Sequence, residues 1–415
     1  MVSVAEAESV ILAHVARLPA EDCPLLEAHG RVLRRPVLAD RDLPPFDRVT
    51  MDGYALRASA LAAGRRHFQV TAFQPAGVPP LTLGPEETAI EIATGAVLPV
   101  GADVVIPYEE TEAQADIARG RTVEPFQAYT VAVTGSVDAP PGRHIHRRGS
   151  DHVAGDLLIA PGTRIGGGEI AVAASCGVPS LSVAAQPSVA IVATGDELVD
   201  IDATALAPHQ LRRSNDYALR AALRQSGLVG AVERVHLRDD PAEVETRLRE
   251  LIERFDVVLL TGGVSKGRLD FLPHALNQLG VERRLRGVAQ RPGKPMWFGT
   301  TVKGRPIFAL PGNPVSAHTC LHRYVLPALG LMAGLPPSPP TTVVLAEPVT
   351  FHPPLTYFLP VLLQDGRDGR QMASPAPFNT SGDFAGLVGT AGFVELPAER
   401  TTFEAGSVVR FWRWT

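Results

Sequence analysis

The chain has 415 residues, more than the ~250–300 at which a single hydrophobic core stops growing, so about two to four domains are expected. A net charge of −5 and a pI near 6.2 exclude broad binding to nucleic acid or anionic membranes, and any anion site must be local. Three scattered cysteines without zinc spacing, acidic Glu6 and Glu8 in place of a basic leader, and no apolar run near ~18 residues give the expectation of a soluble, cytoplasmic protein without structural metal.

In chain order, Ser3-Val-Ala-Glu6 has the spacing of a capping box, and Val10, Ile11, His14 and Leu18 continue a helical period up to Pro19. From Arg34 to about Pro141 prolines and short β-branched runs such as Ala102-Asp-Val-Val-Ile106 predict a mostly β module. Gly149 to Thr163 alternates turn residues with apolar pairs, and Glu169 to Ala174 reads as a short helix. From Pro187 the chain repeats a strand–helix unit: Val189–Thr194, a helix from Ser214 to Ser226 ended by Gly227, then a strand at Val232–Leu237. Asp240, Pro241 and Glu243 start the next helix, whose apolar face is Val244, Leu248, Leu251 and Ile252. It leads into a strand from Asp256 that empties into Thr261-Gly-Gly-Val-Ser265. Ile307–Leu310 is another strand, with a helix from Ala317 to Leu329 beyond its turn. After the stiff Pro336–Pro340 linker, Thr341–Leu345, Tyr357–Leu363, Gly392–Leu396 and Val408–Trp412 predict a small terminal β domain.

Chemistry gathers at the strand ends of the α/β part. Gly262 and Gly263 free the backbone after an apolar strand, so its N–H groups can converge on a phosphate, with Ser265 and Lys266 within reach. Parallel strands present their carboxyl ends on one edge, which brings Thr194-Gly-Asp-Glu197, Asp239, Thr261–Asp270 and Pro311-Gly-Asn-Pro-Val-Ser316 together. Glu197, Asp239 and Asp270 then supply hard oxygen ligands for Mg²⁺ beside a phosphate cradle, while Asp240 only caps its helix. Gln290-Arg-Pro-Gly-Lys-Pro295 adds Arg291 and Lys294 on a stiff turn. In the β module Asp52, before a glycine, is either a turn residue or an active carboxylate, and Ala93-Thr-Gly-Ala96 resembles a second glycine turn carrying Thr94. His144, His146 and His152 flank Arg147 and Arg148, whose charges oppose a transition metal. Phe411, Trp412 and Trp414 read as packing residues.

Taken together, Pro45-Phe-Asp-Arg-Val-Thr-Met-Asp-Gly-Tyr-Ala55, Ile92-Ala-Thr-Gly-Ala96, Gly149-Ser-Asp151, Thr194-Gly-Asp-Glu-Leu198, Thr261-Gly-Gly-Val-Ser265, Arg291-Pro-Gly-Lys-Pro295 and Pro311-Gly-Asn-Pro-Val-Ser316 resemble the molybdopterin molybdotransferase family (MoeA and the gephyrin E domain). The motifs match in order and spacing over essentially the whole chain. The resemblance implies a multidomain α/β plus β protein. Its parts would be a discontinuous connecting α+β domain (1–45 with 140–186), a mostly β module (46–139), a parallel-sheet molybdopterin-binding α/β domain (187–335) and a small C-terminal β domain (336–415).

It also implies a Mg²⁺-dependent reaction in which adenylylated molybdopterin and molybdate give molybdenum cofactor and AMP, in a homodimer whose active cleft is shared between subunits. Asp52, Thr94, Asp151, Glu197, Asp239 and Asp270 would be catalytic. Thr261, Gly262, Gly263, Ser265, Arg291, Lys294, Pro311, Gly312, Asn313, Pro314, Ser316 and Ser381 would bind the cofactor. Transient contact with a molybdopterin adenylyltransferase is compatible with this reading. The chain departs from the family at Gly287, beside Arg286, and at Leu355 and Pro360 around Phe358, where basic residues are common; the pattern does not require Lys266, which reads as a surface cation. A catalytically dead scaffold is disfavoured by the retained acids, and a pterin adenylyltransferase by the modules beyond the α/β part.

Overall fold

The computed structural model describes residues 1–113, 126–135, 138–263, 272–337, 339–366, 368–377 and 379–414. The chain forms two compact units, one of Pro36–Ala160 with Ala171–Val178, the other of Met1–Arg35, Pro161–Ile170 and Pro179–Thr415.

The second of these units begins with α1 (Val4–Ala13), where Ser3 and Glu6 close the expected capping box, with Ser3 N donating to Glu6 Oε2 at 2.7 Å and Glu6 N to Ser3 Oγ at 3.2 Å. The helix is shorter than its sequence period. It stops once Val4, Ala7 and Ile11 are buried, and Leu18 instead donates its N–H to the Met332 carbonyl at 2.8 Å.

The other unit, residues 36–160 with 171–178, is built on a sheet of β1 (Gly53–Leu56), β2 (His67–Gln74), β3 (Thr88–Ile92), β4 (Val104–Pro107), β5 (Thr111–Ala113) and β6 (Tyr129–Val133), in the order β4-β1-β3-β2-β6-β5. β1 and β4 are apolar and buried throughout, while β3 is equally buried but carries Thr88 and Glu91 among its apolar residues. Tyr54 and Leu56 pack with Phe68, Val104 and Ile106 on one face, while Ala55 joins Ile90, Ile92 and Val105 on the other, as a period of two requires. Gly53 is forced by this packing, since a Cβ there would lie 2.1 Å from the Ile106 carbonyl oxygen.

In the larger unit the α/β part consists of β7 (Val189–Thr194), α2 (Asn215–Ser226), β8 (Val232–Leu237), α3 (Pro241–Arg254), β9 (Val257–Thr261), α4 (Leu272–Gln278), β10 (Glu282–Arg286), β11 (Trp297–Thr300), β12 (Pro306–Leu310) and α5 (Pro314–Cys320). The sheet order is β8-β7-β9-β12-β11-β10, with the first four strands parallel and the last two antiparallel. Val189, Ile191, Val257 and Leu259 face Leu219 and Leu223 of α2, whereas Ala190, Val192, Val258 and Leu260 face Val244, Leu248 and Leu251 of α3. Two-sided burial explains why these strands read as unbroken apolar runs. Asp240 caps α3 by accepting from Ala242 N at 3.0 Å and Glu243 N at 2.8 Å.

α5 continues without a break through a π turn (Leu321–Val325) into α6 (Leu326–Ala333), which ends at left-handed Gly334. Pro327 has no N–H to offer the preceding turn, and the wider π turn accommodates it. The helix therefore exceeds the Ala317–Leu329 span expected from sequence. Arg323 of the π turn is 1% exposed and bonds Glu8 of α1 at 2.8 Å and Glu395 at 3.1 Å, with its guanidinium 4.4 Å over Trp412.

β13 (Thr341–Leu345), β14 (Thr356–Asp365), β15 (Gln371–Pro375), β16 (Gly392–Leu396) and β17 (Val408–Arg413) run in the order β14-β15-β13-β17-β16, and pairing of β14 with β16 closes the ring. Leu345, Val361, Val394 and Phe411 fill it. Trp412 donates to Glu395 at 2.7 Å and Trp414 to Thr390 at 2.8 Å, so the terminal aromatics are packing residues with satisfied N–H groups. All three cysteines are buried and free.

Trp414 also covers two imidazoles, with ring centroids 4.7 Å from His318 and 4.9 Å from His322. Burial pushes the His318 ring down to about 3 and the His322 ring down to about 4. Both are neutral when folded and take up protons more readily once unfolded, so stability falls as pH drops from 6.5 toward those values. His322→Phe is expected to reduce by roughly 1–2 kcal/mol the stability lost between about pH 7.5 and about pH 5. Denaturant midpoints of variant and wild type at both pH values read this directly, and an undiminished pH dependence would contradict it.

Candidate functional site

The carboxyl ends of β7, β9 and β12 open into one cleft of about 660 Å³, walled by Thr194, Gly195, Glu197, Asp239, Thr261, Gly262, Gly263 and Pro311–Pro314. Glu197 and Asp239 share the cleft with the glycine turn and the Pro-Gly-Asn-Pro turn, whereas Asp196, Val315 and Ser316, expected at the same edge, do not line it. Ser265, Lys266 and Asp270 lie outside the described residues. Backbone approach sets the shape. Gly262 has φ +93° and a Cβ on it would fall 2.9 Å from the Thr194 carbonyl oxygen, while a Cβ on Gly312 would lie 3.6 Å from the Gly262 Cα. Glycine at 262 lets the ends of β7 and β9 come this close, whereas a Cβ at 312 would make only an ordinary contact.

Several residues that the sequence did not single out hold this arrangement. Asn215, at the start of α2, donates from Nδ2 to Thr261 Oγ1 at 2.9 Å and to the Gly312 carbonyl at 2.7 Å, clamping the ends of β9 and β12. Asp196 and Asp239 exchange bonds, Asp239 N donating to Asp196 Oδ1 at 3.2 Å and Asp196 N to Asp239 Oδ2 at 3.4 Å, which ties β7 to β8. Asp239 is thus partly engaged, where the sequence suggested a carboxylate free for a ligand. Asp216, fully buried, meets Arg234 at 3.2 Å and Arg213 at 3.5 Å. The signal for Asn215 was positional: it opens the helix that starts beside the same sheet edge.

A second cleft of about 370 Å³ adjoins the first and shares Pro295, Pro311 and Asn313 with it. Arg291 and Lys294 enter its lining together with Ser316, Leu355, Tyr357 and Asn379–Ser381. Ser381 is fastened to the proline turn, its Oγ accepting from Asn313 Nδ2 at 2.9 Å and its carbonyl from Val315 N at 3.1 Å. Gln290 and Arg291 pair in parallel with Thr356 and Tyr357 of β14, so the basic turn is stitched to the terminal barrel. Among the departures, Leu355 faces this cleft. Pro360 is buried in the barrel wall opposite Phe393, and Gly287 forms a turn at φ +75°; neither lines a cleft.

Among the described residues no group of three His, Cys, Asp or Glu side chains stands close enough to cage a metal; the acids lining the larger cleft are Glu197, Asp239 and the arginine-paired Asp216. Nearby, the Tyr217 hydroxyl, the Ile201 amide and Arg213 hold the exposed Asp200 carboxyl down at about 2.

Asp52, Thr94 and Asp151 belong to the other compact unit. Asp52 Oδ1 accepts from Thr94 N at 2.6 Å, so the acid pins the Ala93–Ala96 turn. Asp151 Oδ1 lies 2.8 Å from His146 Nε2, and His146 Nδ1 lies 3.2 Å from Arg48 Nη2. The segment Arg48–Thr50 connects these features, accepting from Gly95 N on one side and donating to the His144 carbonyl on the other. His146 and His152 are tied to acids, His152 standing 3.6 Å from Asp156, whereas the buried Nε2 of His144 has no hydrogen-bond partner among the described residues. Among the described residues no helix is long and apolar enough to cross a membrane.

The chain resembles known proteins along its length. It matches the MoeA N-terminal region (domain I and II) over residues 2–177, a Probable molybdopterin binding domain over 190–330 and the MoeA C-terminal region (domain IV) over 342–414. It is 38% identical over 415 residues to a Molybdopterin molybdenumtransferase of Synechocystis sp., covering 100% of both chains. A protein of the same name from Staphylococcus aureus is 30% identical over 414 residues, 98% of this chain and 94% of that one. A crystal structure of a molybdopterin biosynthesis MoeA protein from Pyrococcus horikoshii superposes with a TM-score of 0.79 at 28% identity, over 100% of this chain and 99% of that one.

Asn215 provides a test of how the larger cleft is held. Asn215→Ala removes both clamps and is expected to cost about 1–3 kcal/mol of stability, with faster amide exchange at Thr261–Gly263 and Gly312–Asn313 than at the far strand ends. Exchange protection unchanged at those residues would show that the clamp is dispensable.

Proposed function

The chain belongs to the molybdopterin molybdenumtransferase (MoeA) family, an enzyme family of molybdenum cofactor biosynthesis, and we propose that it inserts molybdate into adenylylated molybdopterin with release of AMP. The observation that carries this reading is the pair of adjoining clefts: a larger one whose lining joins glycine turns to the acids Glu197, Asp216 and Asp239 and to Arg212 and Arg213, and a smaller one whose charged lining is Arg291 and Lys294, across the shared Pro295, Pro311 and Asn313 wall. A phosphorylated pterin seated on the first has its reacting end beside an oxyanion held in the second.

In this reading the backbone N–H groups of Thr261–Gly263 and of the Pro311–Ser316 turn receive the pterin phosphate, because turns without Cβ atoms let amides approach an anion closely. Arg291 and Lys294 bind molybdate by charge, aided by the Ser381 hydroxyl. Glu197 and Asp239 are hard oxygen donors on one cleft wall and suit Mg²⁺, with Asp270 as their expected third partner. When bound there, the cation would neutralise charge on the phosphoanhydride. The carboxylates would orient the adenylate so that an oxygen from water or molybdate bonds to its phosphorus as the bond to the bridging oxygen breaks, the bridging oxygen leaving on the pterin phosphate and AMP departing. The dithiolene sulfurs that take up molybdenum belong to the substrate, which is consistent with buried, free cysteines in the protein.

The protein would act as a cytoplasmic homodimer, with Asp52 and Thr94 reaching the cleft from one subunit and Asp151 completing it, and would receive its substrate from a molybdopterin adenylyltransferase. The exposure of Asp52 and Thr94 on their turn supports a role toward a partner surface.

Purified protein should release AMP only when adenylylated molybdopterin, molybdate and Mg²⁺ are all present, and Glu197→Gln should lower kcat about 100-fold or more, as loss of a charge-stabilising group does. AMP release without molybdate, or an unaffected Glu197→Gln enzyme, would defeat the reading. The shared cleft has its own test: mixing inactive Asp52→Asn and Glu197→Gln proteins under exchange should restore about a quarter of wild-type activity, since half the dimers then carry one intact site. No recovery after verified exchange would place all these groups within one subunit.

A further inference from the structure

Arg291 and Lys294 make no ion pair among the described residues, although most other cations in the larger unit's interior are paired. Something other than a counterion must hold their turn. The residue before it, Gln290, is fully buried, and both ends of its amide are in use: Nε2 donates to Cys320 Sγ at 3.4 Å, and Oε1 accepts from the Tyr324 hydroxyl. Gly293, midway between the two cations, rests directly on this pair. At φ +93° a Cβ there would fall 2.5 Å from Gln290 Nε2 and 2.6 Å from Cys320 Sγ.

The two supporting groups come from one helical segment, Cys320 closing α5 and Tyr324 lying within the π turn. π turns recur where a helix must place side chains for a site. This one does two jobs, since the neighbouring Arg323, whose guanidinium lies 5.2 Å over the Tyr324 ring, is committed to Glu8 and Glu395. Burial pushes the Cys320 thiol up to about 12 and raises the Tyr324 phenol as well, so both stay neutral. The platform under the turn is uncharged. It fixes the backbone without offsetting the positive field of Arg291 and Lys294, as a carboxylate in the same place would.

We propose that Tyr324 and Gln290 are positioning residues for the second cleft, holding the Arg291–Lys294 turn so that both cations face one tetrahedral oxyanion. The proposal rests on the reading that this cleft takes molybdate. Loss of one neutral hydrogen bond beneath the turn loosens the aim of two cations while leaving their charge intact, so the effect falls on oxyanion affinity.

Tyr324→Phe removes only the hydroxyl. The KM for molybdate is expected to rise about five- to tenfold, with the KM for adenylylated molybdopterin and kcat at saturating molybdate within about twofold of wild type. Equilibrium binding of molybdate alone should weaken by the same factor. Arg291→Ala serves as the reference for the cleft itself. If Arg291→Ala weakens molybdate binding and Tyr324→Phe leaves it unchanged, the positioning role is overturned while the cleft assignment stands. If neither variant alters molybdate binding, the cleft assignment falls and the proposal with it. If Tyr324→Phe raises both KM values alongside a lowered melting temperature, the hydroxyl is merely structural. Should that variant fail to fold, Gln290→Asn, which keeps the amide but shortens its reach, is expected to give the same selective loss, and its absence counts against the proposal equally.

Discussion

Parallel pairing of Val189–Thr194, Val232–Leu237, Val257–Thr261 and Pro306–Leu310 is the constraint from which both clefts derive. Val189–Thr194, Val257–Thr261 and Pro306–Leu310 are buried along their whole length, whereas the edge strand Val232–Leu237 buries only Leu237, and the buried strands cannot slip by one residue without exchanging the sides presented to α2 and α3. Register is therefore fixed by apolar packing, and with it the positions of Thr194, Thr261 and Leu310, which stand at neighbouring rungs. The polar turns that follow inherit that alignment. Packing within the sheet thus decides where glycine amides and carboxylates meet, although none of the packed residues touches a ligand.

Alignment alone would leave the turns loose, and the polar clamps supply the remaining order. Asn215 joins two strand ends, the Asp196–Asp239 exchange joins two more, and Asn313 carries the link outward to Ser381 of the terminal part. On the far side Arg323 connects α1, the π turn and β16 through two carboxylates. A buried guanidinium of this kind contributes little net stability over an apolar substitute, but removing one partner leaves a charge without compensation. Its value here is geometric: the same helical segment that anchors the barrel through Arg323 supports the basic turn through Cys320 and Tyr324.

Elements with strong periods were legible in the sequence. β7, β8, β13 and β16 have the bounds their apolar patterns predict, and Ser3, Asp240 and Gly227 mark helix ends through capping chemistry. What escaped lacks such a pattern. β10 reads Glu-Arg-Arg-Leu-Arg with only Leu285 deeply buried, because its long cationic side chains lie on an edge strand; β15 contains no β-branched residue and takes its conformation from its barrel neighbours. The cleft's acids and glycine turns were readable because parallel topology dictates convergence. Asn215, Asp196 and Tyr324 were not, since their importance lies in partners dozens of residues away along the chain. Leu18, by contrast, continued a helical period that tertiary contacts interrupt.

The division of charge between the clefts follows from the acidity of the whole chain. With a net charge of −5, the molecule offers no diffuse positive field, and beyond a Debye length of about 8 Å in physiological salt little of any single cation would be felt. The proposed oxyanion site must then be made from short-range contacts, since Arg291 and Lys294 are both exposed and act only on an ion that reaches them directly. Arg291 and Lys294 meet that need because the prolines at 292 and 295 stiffen their turn and the groups beneath it are neutral. Leu355 and Tyr357 on the facing wall remove water without adding opposing charge. Across the shared Pro311 and Asn313, the larger cleft sets Glu197, Asp216 and Asp239 alongside Arg212 and Arg213, so the two clefts differ in that, among the described residues, only the smaller one has a lining whose charges are all positive.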